Sequence, residues 1–230
     1  MFNGFQKMTL LDFPGKVACT LFTGGCNMRC PFCHNALLVK EAAELQEISE
    51  ETILSYLKKR QGILDGVAIT GGEPLLWPDL PLFIEKVRAL GFLVKLDTNG
   101  TKPAFLKQLV EGGLVDYVAV DIKNSKEKYA ETCGIPGFSI QPVEDTVSFL
   151  LEGHVPYEFR TTVVSEYHEV SDFAKIGEWI RGAERYFLQE FVSQEELVGN
   201  RELHAVKKEA MEEMLRTIRP YVKEASIRGL

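Results

Sequence analysis

Short apolar, β-branched runs alternate with amphipathic segments along nearly the whole chain, and that alternation restricts the fold more than any other feature. Stretches 16–22, 66–70, 93–98, 117–122, 157–163 and 186–191 read as strands, with 224–227 as a weaker seventh. Between them, 49–60, 79–90, 103–111, 143–152, 171–181 and 205–221 carry helical periodicity. Ser49 and Asp79 stand where N-caps belong, and Gly91 and Gly153 where helices should stop. Repeated strand–helix units predict an α/β fold with a parallel sheet. No repeat, low-complexity tract or linker divides the chain, so residues 1–230 read as one domain.

Size and charge narrow the function. The chain has 230 residues, 45% of them hydrophobic, and a formal net charge of −7. That balance argues against broad nucleic-acid binding, which needs a basic face to displace counterions. No apolar run approaches the ~18 residues of a transmembrane helix. The N-terminus lacks the basic region and long apolar core of a leader peptide. A cytoplasmic, reduced protein is the expectation, with no nucleic-acid or membrane partner.

Chemistry concentrates in the stretch Thr20–Asn35, where Cys26, Cys30 and Cys33 stand at C-x3-C-x2-C directly after a strand. Three soft, anionic thiolates in one tight loop suit a metal centre. A cubane iron–sulfur cluster held by three cysteines keeps one iron open to a substrate. Structural zinc usually takes four protein ligands, and His34, adjacent to Cys33, would strain to be the fourth. Cys19 reads as a core residue of its strand and Cys133 as an isolated loop thiol, so no second cluster is expected.

Phe32 before the third cysteine completes a word that resembles the signature of the radical S-adenosylmethionine (radical SAM) enzymes. DFPGKV (12–17), GCNMRCPFCHN (25–35), TGGEP (70–74), LDTNG (96–100) and VDIK (120–123) follow one another in an order similar to the glycyl-radical-enzyme activating proteins. The likeness spans about 13–191 and is greatest to the activating proteins of anaerobic ribonucleoside-triphosphate reductase and of pyruvate formate-lyase. It implies a radical SAM core built as a partial, TIM-like (β/α)6 barrel, with a C-terminal helical extension over about 193–230. It also implies a [4Fe-4S] cluster on Cys26, Cys30 and Cys33, whose open iron takes the amine and carboxylate of S-adenosylmethionine. Reductive cleavage then yields methionine and a 5′-deoxyadenosyl radical, which abstracts hydrogen from a glycine of a partner enzyme.

The other motifs acquire roles from the same likeness. Each follows or ends a predicted strand, and in a parallel barrel those ends share one face. Gly71, Gly72, Glu73 and Pro74 are an ordinary turn by composition; by resemblance they hold the cofactor's ammonium through backbone and Glu73. Asp97 and Asn99, in DTNG, are turn chemistry or, by resemblance, part of the cofactor site. Asp121 and Lys123 share a face of the next strand end. Asp97, Thr98 and Asp121 match positions that hold a monovalent cation in the pyruvate formate-lyase activating group. Arg160 reads either as a partner of the cofactor's carboxylate or as half of a buried ion pair. His34 is expected to hydrogen-bond near the cluster, and Phe32 to lie against the adenine. Gln189 and Phe191 stand where that group has a cofactor-binding histidine, a departure that favours the ribonucleotide reductase branch and leaves the ribose contact unassigned.

Three function classes follow. The first is a radical SAM activase of a glycyl radical enzyme, with a low-potential donor such as flavodoxin or ferredoxin. The second is a small radical SAM enzyme acting on a metabolite. The third is a non-enzymatic iron–sulfur or zinc protein, which leaves the GGEP and DTNG motifs idle.

Overall fold

The computed structural model describes residues 1–193, 196–199 and 201–229. Eight strands form one sheet in chain order: β1 (Phe2–Thr9), β2 (Ala18–Thr23), β3 (Gly66–Gly71), β4 (Leu93–Thr98), β5 (Tyr117–Asp121), β6 (Tyr157–Val163), β7 (Arg185–Glu190) and β8 (Glu224–Arg228). From β2 onward each strand runs parallel to the next, and β1 is antiparallel to β2. Among the described residues β1 and β8 are the two edges, so the sheet is an open partial barrel. The connecting helices are α1 (Ala36–Lys40), α2 (Glu50–Lys58), α3 (Leu80–Ala89), α4 (Pro103–Glu111), α5 (Tyr129–Thr132), α6 (Gln141–Leu151), α7 (Val170–Trp179) and α8 (Lys208–Ile218). None is long and apolar enough to cross a membrane.

The helix ends follow local chemistry. Ser49 Oγ accepts from the Thr52 amide at 3.2 Å and caps α2. Gly91 and Gly153 take φ of +90° and +82° after α3 and α6, a conformation open to glycine. Asp79 precedes α3 but makes no capping bond. β1 is absent from the sequence reading, because Asn3, Gly4, Gln6 and Lys7 interrupt any apolar pattern. Tertiary contact makes it a strand: Phe2 is fully buried with its ring 4.6 Å from that of Phe83. A Cβ at Gly4 would lie 3.0 Å from the Phe22 Cβ, so glycine lets β1 lie close over β2.

Strand alternation gives the sheet two unlike faces. Val94, Leu96, Val118 and Val120 are wholly buried in the core beneath the helices. The opposite face carries Lys95, Asp97, Asp121, Glu158 and Arg160, an unusually charged barrel interior. Its floor is apolar. The Phe13 ring lies 6.1 Å from that of Tyr117 and packs with Ala18. A Cβ at Gly66 would meet the Leu93 carbonyl at 2.8 Å and the Phe13 ring at 2.9 Å. The stretch 12–15 is therefore a plug.

The C-terminal extension carries both the expected helix and the expected seventh strand. α8 buries Met211, Met214, Leu215 and Ile218 and packs on α7. β8 then adds a parallel strand beside β7. Its Arg228 reaches inward, donating to both carboxylate oxygens of Glu158 at 2.7 and 2.9 Å.

Candidate metal and cofactor site

The ends of β2 to β6 meet around one cavity, as a parallel sheet requires. Cys26, Cys30 and Cys33 line it together with Phe32, His34, Gly71, Gly72, Asp97, Thr98, Asn99, Asp121 and Lys123. Three expected residues, Glu73, Pro74 and Arg160, are not among the lining groups, and each has another task.

The cysteine loop is held by its backbone. Gly25 turns it with φ of +83°, and its amide donates to the Leu38 carbonyl at 2.8 Å. Arg29 Nη1 donates to the carbonyls of Cys26 and Met28 at 2.6 and 2.8 Å, while the Arg29 amide donates to the Cys133 carbonyl at 2.9 Å. Cys133 does lie in a turn, as expected, but it is not isolated. It is wholly buried at the end of α5, under the cysteine loop, and its Sγ–H donates to the Ala130 carbonyl at 3.5 Å. All five cysteines are free. Burial pushes the Cys30 thiol up to about 12, so binding a metal there must displace protons. Among the described residues no three His, Cys, Asp or Glu side chains close round a single-ion position. A polynuclear cluster sets a wider spacing, since each thiolate binds its own iron.

The glycine pair forms the opposite wall. Gly71 takes φ of +120°, and the Gly72 amide donates to the Thr23 carbonyl at 2.8 Å. The Glu73 amide donates to the Gly25 carbonyl at 2.8 Å. Asn35 Nδ2 donates to the Gly71 carbonyl at 2.9 Å, and Trp77 Nε1 to that of Gly24 at 3.2 Å. These bonds clamp the glycine turn onto the cysteine loop.

Glu73 is fully buried, and its carboxylate accepts from Leu75 N at 3.0 Å, Thr98 Oγ1 at 2.7 Å and Asn99 N at 2.7 Å. The carboxylate expected to face the cofactor's ammonium is instead a bracket between the ends of β3 and β4. Burial nonetheless pushes its carboxyl up to about 7 against the pull of those donors. Pro74 opens the short 3-10 turn Pro74–Leu76 behind the wall. Asn99 Nδ2 donates to Asn27 Oδ1 at 2.8 Å and lies 3.8 Å from Cys26 Sγ, joining the DTNG turn to the cysteine loop.

A charge lattice floors the cavity. Arg160 Nη1 donates to Asp97 Oδ2 at 3.1 Å, and its Nε to Asp121 Oδ1 at 2.9 Å. Lys95, 1% exposed, donates to Asp97 Oδ1, and Lys123 Nζ donates to Asp121 Oδ2 at 3.2 Å. Burial alone would raise both carboxyls. The facing cations outweigh it, holding Asp121 down to about 2 and Asp97 below the usual carboxylate range. Arg160 sits behind the two aspartates rather than in the cavity. Lys95 went unnoticed in the sequence reading, although a lysine inside LVKLDT at the parity of Asp97 was a usable signal.

His168, in the loop between β6 and α7, is a second residue that acts at the site. It is buried, its Nδ1 accepts from Val164 N at 3.1 Å, and its Nε2–H donates to the Lys123 carbonyl at 2.9 Å. Its ring also stands edge-on to Phe32 at 6.4 Å. It thus steadies two cavity residues in its neutral form. Burial holds His168 below the ordinary histidine value. Its contribution to stability is full above about pH 6.5 and is lost as pH falls through the folded-state value. Between pH 7.5 and 5.5 the wild type should therefore lose about 1 kcal/mol more urea-unfolding free energy than His168→Gln. Equal losses would contradict this role. His34 stacks on Phe191 at 5.3 Å, and its Nε2 is buried with no hydrogen-bond partner among the described residues.

The donors fit the two groups the motifs imply. Three free cysteines, a buried imidazole nitrogen with no partner among the described residues and a glycine wall with no room for a Cβ share one cavity. The pattern of the Radical SAM superfamily matches residues 20–180. A Methanocaldococcus jannaschii protein named as a glycyl-radical enzyme activating enzyme is 32% identical over 196 residues, covering 82% of this chain and 79% of its own. The pyruvate formate-lyase-activating enzyme of Staphylococcus aureus strain USA300 is 28% identical over 191 residues, covering 77% and 74%. The fold also matches Streptococcus suis SuiB bound to S-adenosylmethionine, with a TM-score of 0.67 at 12% identity, over 91% of this chain and 52% of that one. The chain is an enzyme of the radical SAM superfamily, whose members use a [4Fe-4S] cluster and S-adenosylmethionine.

Proposed function

We propose that this enzyme generates a glycyl radical on a partner protein, with anaerobic ribonucleoside-triphosphate reductase as the preferred partner. The observation that carries the reading is the 32% identity to a protein named as a glycyl-radical enzyme activating enzyme, extending over 82% of the chain. The absence of a histidine at Gln189 and Phe191 supports the reductase branch. The identity to proteins named pyruvate formate-lyase-activating enzyme favours a second reading, in which the partner is of the pyruvate formate-lyase type. In either case the reaction takes its electron from a low-potential donor such as flavodoxin or ferredoxin, in the cytoplasm.

Cys26, Cys30 and Cys33 would hold the cluster, and the walls formed by Gly71, Gly72, Asn99, Asp121 and Lys123 would hold S-adenosylmethionine. When bound, that pair supplies a 5′-deoxyadenosyl radical. The chain's own residues orient and shield. The Glu73 bracket fixes the β3 and β4 ends, and the clamp of Asn35 and Trp77 keeps the glycine backbone against the cysteine loop. Lys123, paired with Asp121, would present a cation to the cofactor's carboxylate, and Phe32 and Met28 would supply apolar wall. The interaction is tested anaerobically by adding S-adenosylmethionine and a candidate reductase to the reduced, reconstituted enzyme and recording an EPR spectrum. A glycyl radical doublet with stoichiometric 5′-deoxyadenosine is the expected result. Cofactor cleavage without the doublet, for both reductase and pyruvate formate-lyase, would contradict the activase reading.

A further inference from the structure

The positions expected to bind a monovalent cation are already occupied by charges of the protein. Asp97 and Asp121 offer four carboxylate oxygens, and each has a fixed cationic partner. Lys95 takes Asp97 Oδ1, Arg160 takes Asp97 Oδ2 and Asp121 Oδ1, and Lys123 takes Asp121 Oδ2. The hydroxyl of Thr98, the third expected ligand, donates to Glu73 and accepts from the Gly100 amide at 3.1 Å. Arg160 is also anchored from below. Glu158 Oε1 lies 3.9 Å from its Nη1, and Glu158 is held by both Arg228 nitrogens and by Tyr117 Oη at 2.9 Å.

An added cation would compete with the Arg160 guanidinium, 12% exposed, the Lys95 ammonium, 1% exposed, or the Lys123 ammonium, 16% exposed. The displaced group would remain buried without its partner, at a cost of several kcal/mol. Charge counting points the same way. Lys95, Arg160, Lys123 and Arg228 face the three carboxylates of Asp97, Asp121 and Glu158, which leaves one positive charge in excess. The carboxylate group of a bound ligand complements that excess locally, whereas a further cation beside it would enlarge it.

We infer that this chain carries its own cation, the Arg160 guanidinium backed by Lys95, in place of a monovalent metal ion, and binds S-adenosylmethionine without sodium or potassium. The inference rests on the placement of S-adenosylmethionine in this cavity.

The test is isothermal titration of S-adenosylmethionine into the reconstituted full chain, with its cluster oxidised so that nothing turns over. Sodium, potassium and tetramethylammonium chloride are compared at equal ionic strength. The three Kd values should agree within about twofold. Tightening by about tenfold or more in sodium or potassium would overturn the inference. No binding in any salt would refute the placement of the cofactor itself, and the inference would fall with it. Arg160→Met should bind about tenfold more weakly in tetramethylammonium and recover in part with potassium or sodium. Lys95→Met reads the same effect if the first variant does not fold. A folded variant with one affinity in all three salts would contradict the role given to these cations.

Discussion

Replacing Cys30 by alanine is expected to abolish the iron–sulfur centre, while replacing Cys133 leaves it in place. Cys30 lines the cavity and its thiol is buried. Without it, two cysteines remain on a loop whose imidazole neighbour, His34, stacks on Phe191. Iron content should fall from about four per chain to background, because a cubane needs a thiolate at each protein-bound iron. Reductive cleavage of S-adenosylmethionine should drop by at least about a thousandfold. Cys133 lies nearby but supports the loop through its backbone carbonyl, not its sulfur. Cys133→Ala therefore costs only a small cavity, about 1 kcal/mol. Loss of iron from Cys133→Ala would refute the ligand assignment.

The second large effect is steric. A Cβ at Gly72 would lie 1.8 Å from the Gly25 carbonyl oxygen and 3.3 Å from the Cys26 amide. Both belong to backbone that the Glu73 amide and the cysteine turn hold in place, so no side chain can move aside. Gly72→Ala should separate the glycine wall from the cysteine loop, weaken S-adenosylmethionine binding by about a hundredfold or more and lower Tm by several degrees. Gly62→Ala is the control. Gly62 has φ of +78° with open space around it, so alanine there costs about 1 kcal/mol of backbone strain and leaves binding intact. Calorimetric titration of both variants checks the pair; equal binding by Gly72→Ala and wild type would contradict the clamp.

Strand–helix alternation carried the parallel core because each β-branched run is buried on the helix side of the sheet, where periodicity is plain. It failed for β1, whose pattern is broken by Asn3, Gly4 and Gln6 and whose place depends on Phe2 meeting Phe83 across the fold. The cavity residues were legible because their motifs end strands, and parallel topology brings strand ends together. Their division of labour was not. Glu73 is a charged residue in the right word, yet its direction depends on Thr98 and Asn99, distant in sequence; of the two readings of Arg160, the buried ion pair is the one its contacts with Asp97 and Asp121 bear out. Lys95 and His168 act through contacts made across neighbouring strands and loops, which spacing within one segment does not record.

The central claim is that the cavity joining the cysteine loop to the glycine wall holds the cluster and the cofactor side by side. EPR of the anaerobically reconstituted, reduced protein tests it most directly, recorded before and after adding S-adenosylmethionine. The account predicts a [4Fe-4S]+ signal whose g values shift on addition, followed by 5′-deoxyadenosine in step with loss of the signal. A cluster signal unchanged by the cofactor, with no 5′-deoxyadenosine, would contradict it.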